Sequence, residues 1–351
     1  MIPRMAAVRE LIIVGAGPTG LSAAISAKQR GLDYQGLEQG TLVNSIYQFP
    51  PQMVFFTTPE LLEVGGLPFV SPYDKPTRTE ALRYYRRVVD VFDLQINFDE
   101  KVLSVRPESR EAIEADGGPT LFALETRSGR GARRVRRGRN VIFAIGYYDH
   151  PNLIGVPGED LPHVSHYYRD PHPHYRHRVV IVGGGNSAAE SALELYRAGA
   201  HVTIVHRSAE LKATIKYWVR PDIENRIKAG SIDARFNSRV SEIRPSSVVV
   251  RSNVIAEEAE LAADAVYLLT GYRADNDLLM RAGIRLDERQ APVHDPDTFE
   301  SNVPGLYVAG GATAGIDTGT IFIENGRFHG EKIVAAITSR QRTVTFGGDR
   351  S

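Results

Sequence analysis

Two stretches of the chain repeat one order of apolar and polar positions: LIIVGAGPTGLSAAISAKQRGLDYQGLEQG from Leu11 and VVIVGGGNSAAESALELYRAGAHVTIVHRS from Val179. Each opens with a short apolar run closed by glycine, at residues 11–14 and 179–182, the pattern of a parallel strand buried on both faces. Small residues follow at helical spacing, Ala23, Ala24 and Ala27 in one copy and Ala188, Ala189 and Ala192 in the other. They let a helix lie close on the sheet beneath it, and a second apolar strand completes each unit.

Between the copies, residues 97–139 alternate apolar and charged positions around Gly/Pro turns, which predicts a small antiparallel meander returning to the strand NVIFAIGYYD. The apolar AVYLLTGY closes the second unit near Tyr272. From about Arg285 the tail holds the strand GLYVAGG and then GIDTGTIFIENGRFHGEKIVAAI, which starts a helix. These elements predict an α/β fold of two Rossmann-like dinucleotide-binding domains, the second inserted into the first, with a small antiparallel β-meander. The expected segments are 1–150, 151–284 and 285–351.

The glycines carry the first chemistry. Gly15, Gly17 and Gly20 in one copy, and Gly183, Gly185 and Ala188 in the other, supply a tight turn, a close approach for a pyrophosphate, and close packing of a helix whose amides face the phosphates. The second strand of each unit then selects the nucleotide. Glu38, eighteen positions past Gly20, offers a carboxylate to ribose hydroxyls, which fits the adenosine half of FAD or NAD. The matching position in the second copy is His206, followed by Arg207. With the acid gone, Arg207, Ser208 and Lys212 suit a 2'-phosphate, so this copy should prefer NADPH to NADH.

Composition narrows the options. A length of 351 residues allows about two domains, and 42 Lys plus Arg balance 42 Asp plus Glu, so no global field favours nucleic acid or an anionic membrane. There is no cysteine, which excludes disulfides, thiolate metal sites and a protein dithiol relay. No apolar run approaches the roughly 18 residues of a membrane span, and MIPRMAAVRE lacks the pattern of a secretion signal; a soluble, cytoplasmic protein is expected. Seven arginines lie between Arg127 and Arg139, read as a solvated hairpin or, alternatively, as a dock for an acidic partner. Five histidines, His163, His166, His172, His174 and His177, stand among prolines just before the second copy; that setting reads as a linker and no metal site is expected.

The two glycine turns, AIGYYD, LTGY and the closing Ala309–Gly310 pair resemble the thioredoxin-reductase-like flavoproteins over nearly the whole chain. More specifically, LVNSIYQFP, MVFFTTPELLEVGGLPF, KPTRTEALRYYRRV, HYYRDPHPHY, IKYWVRPDIENRI and FIENGRFHG resemble the YpdA-type bacillithiol-disulfide reductases. The resemblance implies FAD in the first domain, NADPH in the second, a homodimer, and oxidised bacillithiol as substrate. By position, Gly15, Gly17, Pro18, Thr19, Gly20 and Glu38 would hold FAD, and Asn44, Ser45 and Gln48 would run beside its isoalloxazine. Gly310 and a terminal helix beginning around Thr320, Ile321 and Phe322 would face the flavin. Gly183, Gly185, Asn186, Ser187, Arg207 and Lys212 would hold NADPH.

The departures are specific. Where thioredoxin reductases carry a CxxC pair, this chain has His-Tyr-Tyr-Arg at 166–169. Thr19 stands where many bacillithiol-family members carry cysteine, and Gly311 where related flavoproteins carry a ribityl-binding aspartate. No catalytic residue can therefore be named. The acceptor is expected to be bacillithiol disulfide, with ferredoxin or flavodoxin as the alternative and a non-enzymatic nucleotide sensor as a third reading.

Overall fold

The computed structural model describes residues 7–347, so residues 1–6, on which the reading of the amino terminus rests, and 348–351 lie outside it. The chain divides into two compact units. One comprises the chain up to Gln48, Met53–His150 and everything from Tyr272 onward; the other comprises Phe49–Gln52 and Pro151–Gly271.

The first unit is built on a seven-stranded sheet. Ile96–Asn97, Tyr34–Leu37, Val8–Val14, Arg133–Phe143 and Leu306–Val308 run parallel, and Arg133–Phe143 continues into an antiparallel meander with Phe122–Ser128 and Glu100–Pro107. The return strand and the last meander strand are thus one eleven-residue strand, and the meander carries a helix, Arg110–Asp116, that the alternation did not reveal. Ile12, Val14, Val141, Phe143, Leu306 and Val308 are buried in one core with Leu278 and Leu279. Those two leucines belong to the helix Asn276–Arg281. The third segment therefore begins near Tyr272, ahead of the expected 285, because this helix buries its apolar face in the first unit.

The helix Arg78–Phe92 starts at a capping box, in which Glu80 N–H donates to Thr77 Oγ1 at 3.2 Å and Thr77 N–H to Glu80 Oε2 at 2.8 Å. It buries Ala81, Tyr84, Tyr85 and Val88, the i, i+3, i+4, i+7 stripe of a core-facing helix.

Four of the seven arginines in the basic run are paired inside the unit. Arg134 and Arg136 reach Glu100, Arg137 reaches Glu108, and Arg139 reaches Asp116. Glu100 is only 2 % exposed. Burial raises its pKa, but hydrogen bonds from Arg136 and Thr126, with the Arg136 charge, prevail and bring it down to about 2. The run is thus an antiparallel hairpin, as expected, but four of its seven arginines are neutralised within the unit rather than solvated.

The second unit has a five-stranded parallel sheet in the order Asp233–Arg235, His201–Val205, Arg178–Val182, Ala265–Leu268, Val164–Ser165. A three-stranded antiparallel sheet, Ser238–Arg244, Ser247–Ser252 and Glu258–Ala262, belongs to the same unit and was not anticipated. The segment that aligns with a CxxC pair is structural here. Tyr168 is buried, donates its hydroxyl to Glu194 at 2.9 Å, and meets Tyr267 edge-on at 5.5 Å. His174 Nε2 lies 2.8 Å from the Tyr267 hydroxyl, so this histidine packs into the unit and is not merely linker. Among the described residues no three metal-ligating side chains converge, and no helix is long and apolar enough to cross a membrane.

Candidate functional site: two nucleotide crevices

In open parallel sheets, ligands bind outside the carboxyl ends of the strands, where successive turns part. Both units place glycine there. In the first, Gly15 has φ +106 and a Cβ on it would lie 2.4 Å from Ala144 O, so the turn after Val8–Val14 is locked against the turn after Arg133–Phe143. In the second, Gly183 has φ +154 and a Cβ there would lie 2.5 Å from Leu269 O. The backbone ties match: Gly15 N–H donates to Leu37 O and Ala144 N–H to Val14 O, as Gly183 N–H donates to Val205 O and Leu269 N–H to Val182 O.

The middle glycines behave differently. A Cβ on Gly17 would meet nothing within 4 Å, and one on Gly185 only Lys212 Cδ at 3.9 Å. No protein contact demands glycine at either place, whereas close approach of a pyrophosphate would. Each is the cap residue of a twelve-residue helix, Pro18–Gln29 or Asn186–Arg197, whose first-turn amides are unsatisfied by the helix itself. At the third position, a Cβ on Gly20 would lie 2.0 Å from Gly15 O, while Ala188 fits fully buried.

Glu38 is 5 % exposed and closes the first crevice. Its Oε2 accepts from Ala16 N–H at 2.8 Å and its Oε1 from Gly40 N–H at 2.9 Å, leaving each oxygen a second lone pair for a ribose hydroxyl. Burial raises its pKa, the two amides oppose that, and the nearby Asp149 raises it further. Asp149, at the end of AIGYYD, accepts from Gln39 Nε2 at 2.8 Å and Asn44 Nδ2 at 3.4 Å. Asn44, Ser45 and Gln48 lie on the short helix Asn44–Gln48, and Asn44 faces the Glu38 end of the crevice through Gly40 and Asp149.

The closing turn brings a third group of residues in. Thr19 donates its hydroxyl to Gly326 O at 3.2 Å and packs on Gly310, so it joins the first helix to the tail; it does not cap its own helix. A Cβ on Gly311 would lie 2.7 Å from the Tyr147 ring. The place of the absent aspartate is thus taken by a tyrosine whose pKa is raised by burial and by Glu324. Thr320 and Ile321 precede the terminal helices, which are Ile323–Gly326 and His329–Gly347, so helix begins later than expected. Phe322 N–H is held by Asn325 Oδ1 at 2.8 Å, and its ring is 41 % exposed, edge-on to Phe56; core packing does not explain it.

In the second crevice His206 takes the place of Glu38. It is 6 % exposed and its ring fills the space a Cβ on Gly184 would need, 2.4 Å from His206 Cε1. Burial lowers its pKa, and the charges of Lys212 and Arg207 lower it further. Both cations are exposed, and no carboxylate pairs with either among the described residues. Ser187 is exposed at the helix start. Asn186 instead anchors the following loop, accepting from Lys216 N–H at 3.0 Å and donating to Thr214 O at 3.2 Å. Tyr147, Asp149 and the buried His329 were not singled out from the sequence; AIGYYD and FIENGRFHG contained them, but nothing in their spacing marked which side chain turns inward.

Two such crevices, one ending in a buried carboxylate and one in free cations, define a flavoprotein that uses FAD and NADPH as an oxidoreductase. The chain belongs to the pyridine nucleotide-disulphide oxidoreductase family, whose model matches residues 12–310. It is 40% identical over 331 residues to the bacilliredoxin reductase Bdr of Bacillus subtilis, covering 94% of this chain and 98% of that one. The structure of the bacillithiol disulfide reductase Bdr (YpdA) from Bacillus cereus superimposes with a TM-score of 0.90 at 37% identity, covering 95% of this chain and all of that one, 100%. A ferredoxin–NADP reductase of Ignicoccus hospitalis is 27% identical over 310 residues, 87% of this chain and 90% of that one.

Proposed function

We propose that the chain reduces bacillithiol disulfide with electrons from NADPH, FAD lying in the first crevice and NADPH in the second. The similarity to the Bacillus cereus bacillithiol disulfide reductase across both units carries this reading. Bound FAD supplies hydride acceptance from NADPH and two-electron delivery to the acceptor. The residues do the positioning: Gly15, Gly17, Pro18, Gly20 and Glu38 seat the adenosine diphosphate half of FAD, and Gly183, Gly185, Ser187, Arg207 and Lys212 seat NADPH. Asn186 shapes the loop that carries Lys212. Because no cysteine exists, no mixed disulfide with the protein can form. The substrate S–S bond must break by taking both electrons without a protein thiol, giving one thiol and one thiolate. A cytoplasmic homodimer is part of the same reading, on the ground of the family resemblance, and sedimentation analysis checks the dimer.

The ferredoxin reading loses part of its support, since only Arg127, Arg130 and Arg133 of the basic run lack an internal carboxylate partner among the described residues. The test is anaerobic reduction by NADPH followed by separate addition of bacillithiol disulfide, bacilliredoxin disulfide, ferredoxin and flavodoxin. Bacillithiol disulfide should restore the oxidised spectrum at a catalytic rate. Turnover with ferredoxin or flavodoxin alone would overturn the proposal. Thr19→Cys should change disulfide turnover little; an inert wild type rescued by that substitution would show that a protein thiol is required.

A further inference from the structure

The Ala309–Gly311 turn is gripped by three side chains of its own unit. Gly310 has φ +65, and a Cβ on it would lie 2.6 Å from Thr19 Oγ1. Tyr147 covers Gly311. The third grip is polar: Gly310 N–H donates to His329 Nδ1 at 3.1 Å. An amide can only donate, so Nδ1 must carry a lone pair and the ring must be neutral with its proton on Nε2. His329 is 9 % exposed and stacks on Phe299 with centroids 4.1 Å apart, and His294 stacks on Phe299 at 5.6 Å. Burial, then the charges of Lys332 on its own helix and His294 across Phe299, push the His329 pKa down to about 4.

We propose that His329 is a positioning residue for FAD: as a neutral acceptor it fixes the Gly310 amide, and with it the turn that closes the first crevice. The proposal rests on the reading that this crevice holds FAD. An acceptor at the place of Nδ1 is what the turn needs; an imidazole as such is not.

Two substitutions separate this role from packing. In His329→Asn the amide oxygen can stand where Nδ1 stands. In His329→Phe the flat ring still stacks but accepts nothing, so the buried Gly310 amide is left without a partner. FAD affinity, measured by the flavin fluorescence change on titrating FAD into protein stripped of it, should stay within about threefold in His329→Asn and fall about tenfold or more in His329→Phe. Should the Phe variant fail to fold, His329→Gln, whose oxygen reaches toward the Nε2 side, takes its place in the comparison. The acid profile is a second readout. As pH falls from about 6.5 toward 4, His329 gains its proton only by releasing Gly310, whereas asparagine has nothing to titrate. His329→Asn should therefore hold FAD further into acid than wild type, and because Glu38 titrates in both proteins the difference isolates His329. Equal affinities in the Asn and Phe variants, or coincident acid release in wild type and His329→Asn, overturn the positioning role alone. A wild type that binds no FAD overturns the cofactor reading beneath it.

Discussion

The two crevices share their backbone ties and differ in the side chains they bury beside them. At the end of the second strand, the first unit buries Glu38 under two amides, Ala16 and Gly40, while the second buries His206 against Gly184 and leaves Arg207 and Lys212 free. The carboxylate is shielded and fixed; the cations are solvated. On the proposed reading, nucleotide preference rests on whether a strand end organises an acceptor or clears a space for donors, with the glycine turns common to both.

Exchanging the third small residue should break the comparison hardest. Gly20→Ala would press a methyl to 2.0 Å from Gly15 O, while the other copy already holds Ala188. We expect Gly20→Ala to destabilise the first unit by about 3 kcal/mol or more and to expel FAD. Ala188→Gly should cost only about 1 kcal/mol. Thermal denaturation with flavin content decides; equal losses would mean that the close approach of Gly15 O to position 20 does not set the first turn apart from the second.

Glu38→Gln comes next, because the new NH2 faces one of two buried amides. A loss of about 2 kcal/mol, roughly thirtyfold in FAD affinity, is expected. A lower Tm with unchanged FAD affinity would make Glu38 a brace of the turn and nothing more. Arg207→Ala is smaller, since the guanidinium is exposed: kcat/KM for NADPH should fall about tenfold while that for NADH holds. Equal falls with both nucleotides would remove Arg207 from the choice between them.

The smallest effect is on pH. The folded-state pKa of His206 lies below its ordinary value, through burial and then Lys212 and Arg207. The unfolded chain thus binds the proton first, and stability present above about pH 6.5 declines on acidification. His206→Asn should flatten that decline in denaturation midpoints taken across the acid limb; an unaltered slope would place the titrating group elsewhere.

How much of this could be read in advance depended on range. Strand, glycine turn, helix and strand lie within thirty consecutive residues in each copy, so their pattern was legible, as was the Glu38 and His206 difference. The helix Arg78–Phe92 was legible too, from Thr77, Glu80 and the stripe through Val88, but had no chemistry to draw attention. The pairing of Arg136 with Glu100 and of Arg139 with Asp116 follows from strand register and from where the helix Arg110–Asp116 ends, 36 and 23 residues apart, which local pattern does not encode. The Gly310 amide and His329 are separated by nineteen residues that include the short helix Ile323–Gly326. Only the folded backbone brings them together.

Thr19 packed against Gly310, and His166 and Arg169, stand at the places where the resemblance to thioredoxin-reductase-like flavoproteins implies sulfur. Maleimides and mercurials act by capturing a thiolate, and peroxide by oxidising one. Here they find none in 351 residues. On the reading proposed above, reduction in this chain has no cysteine to lose to alkylation or oxidation, and an inhibitor has to address the nucleotide crevices rather than form a covalent bond to a thiol.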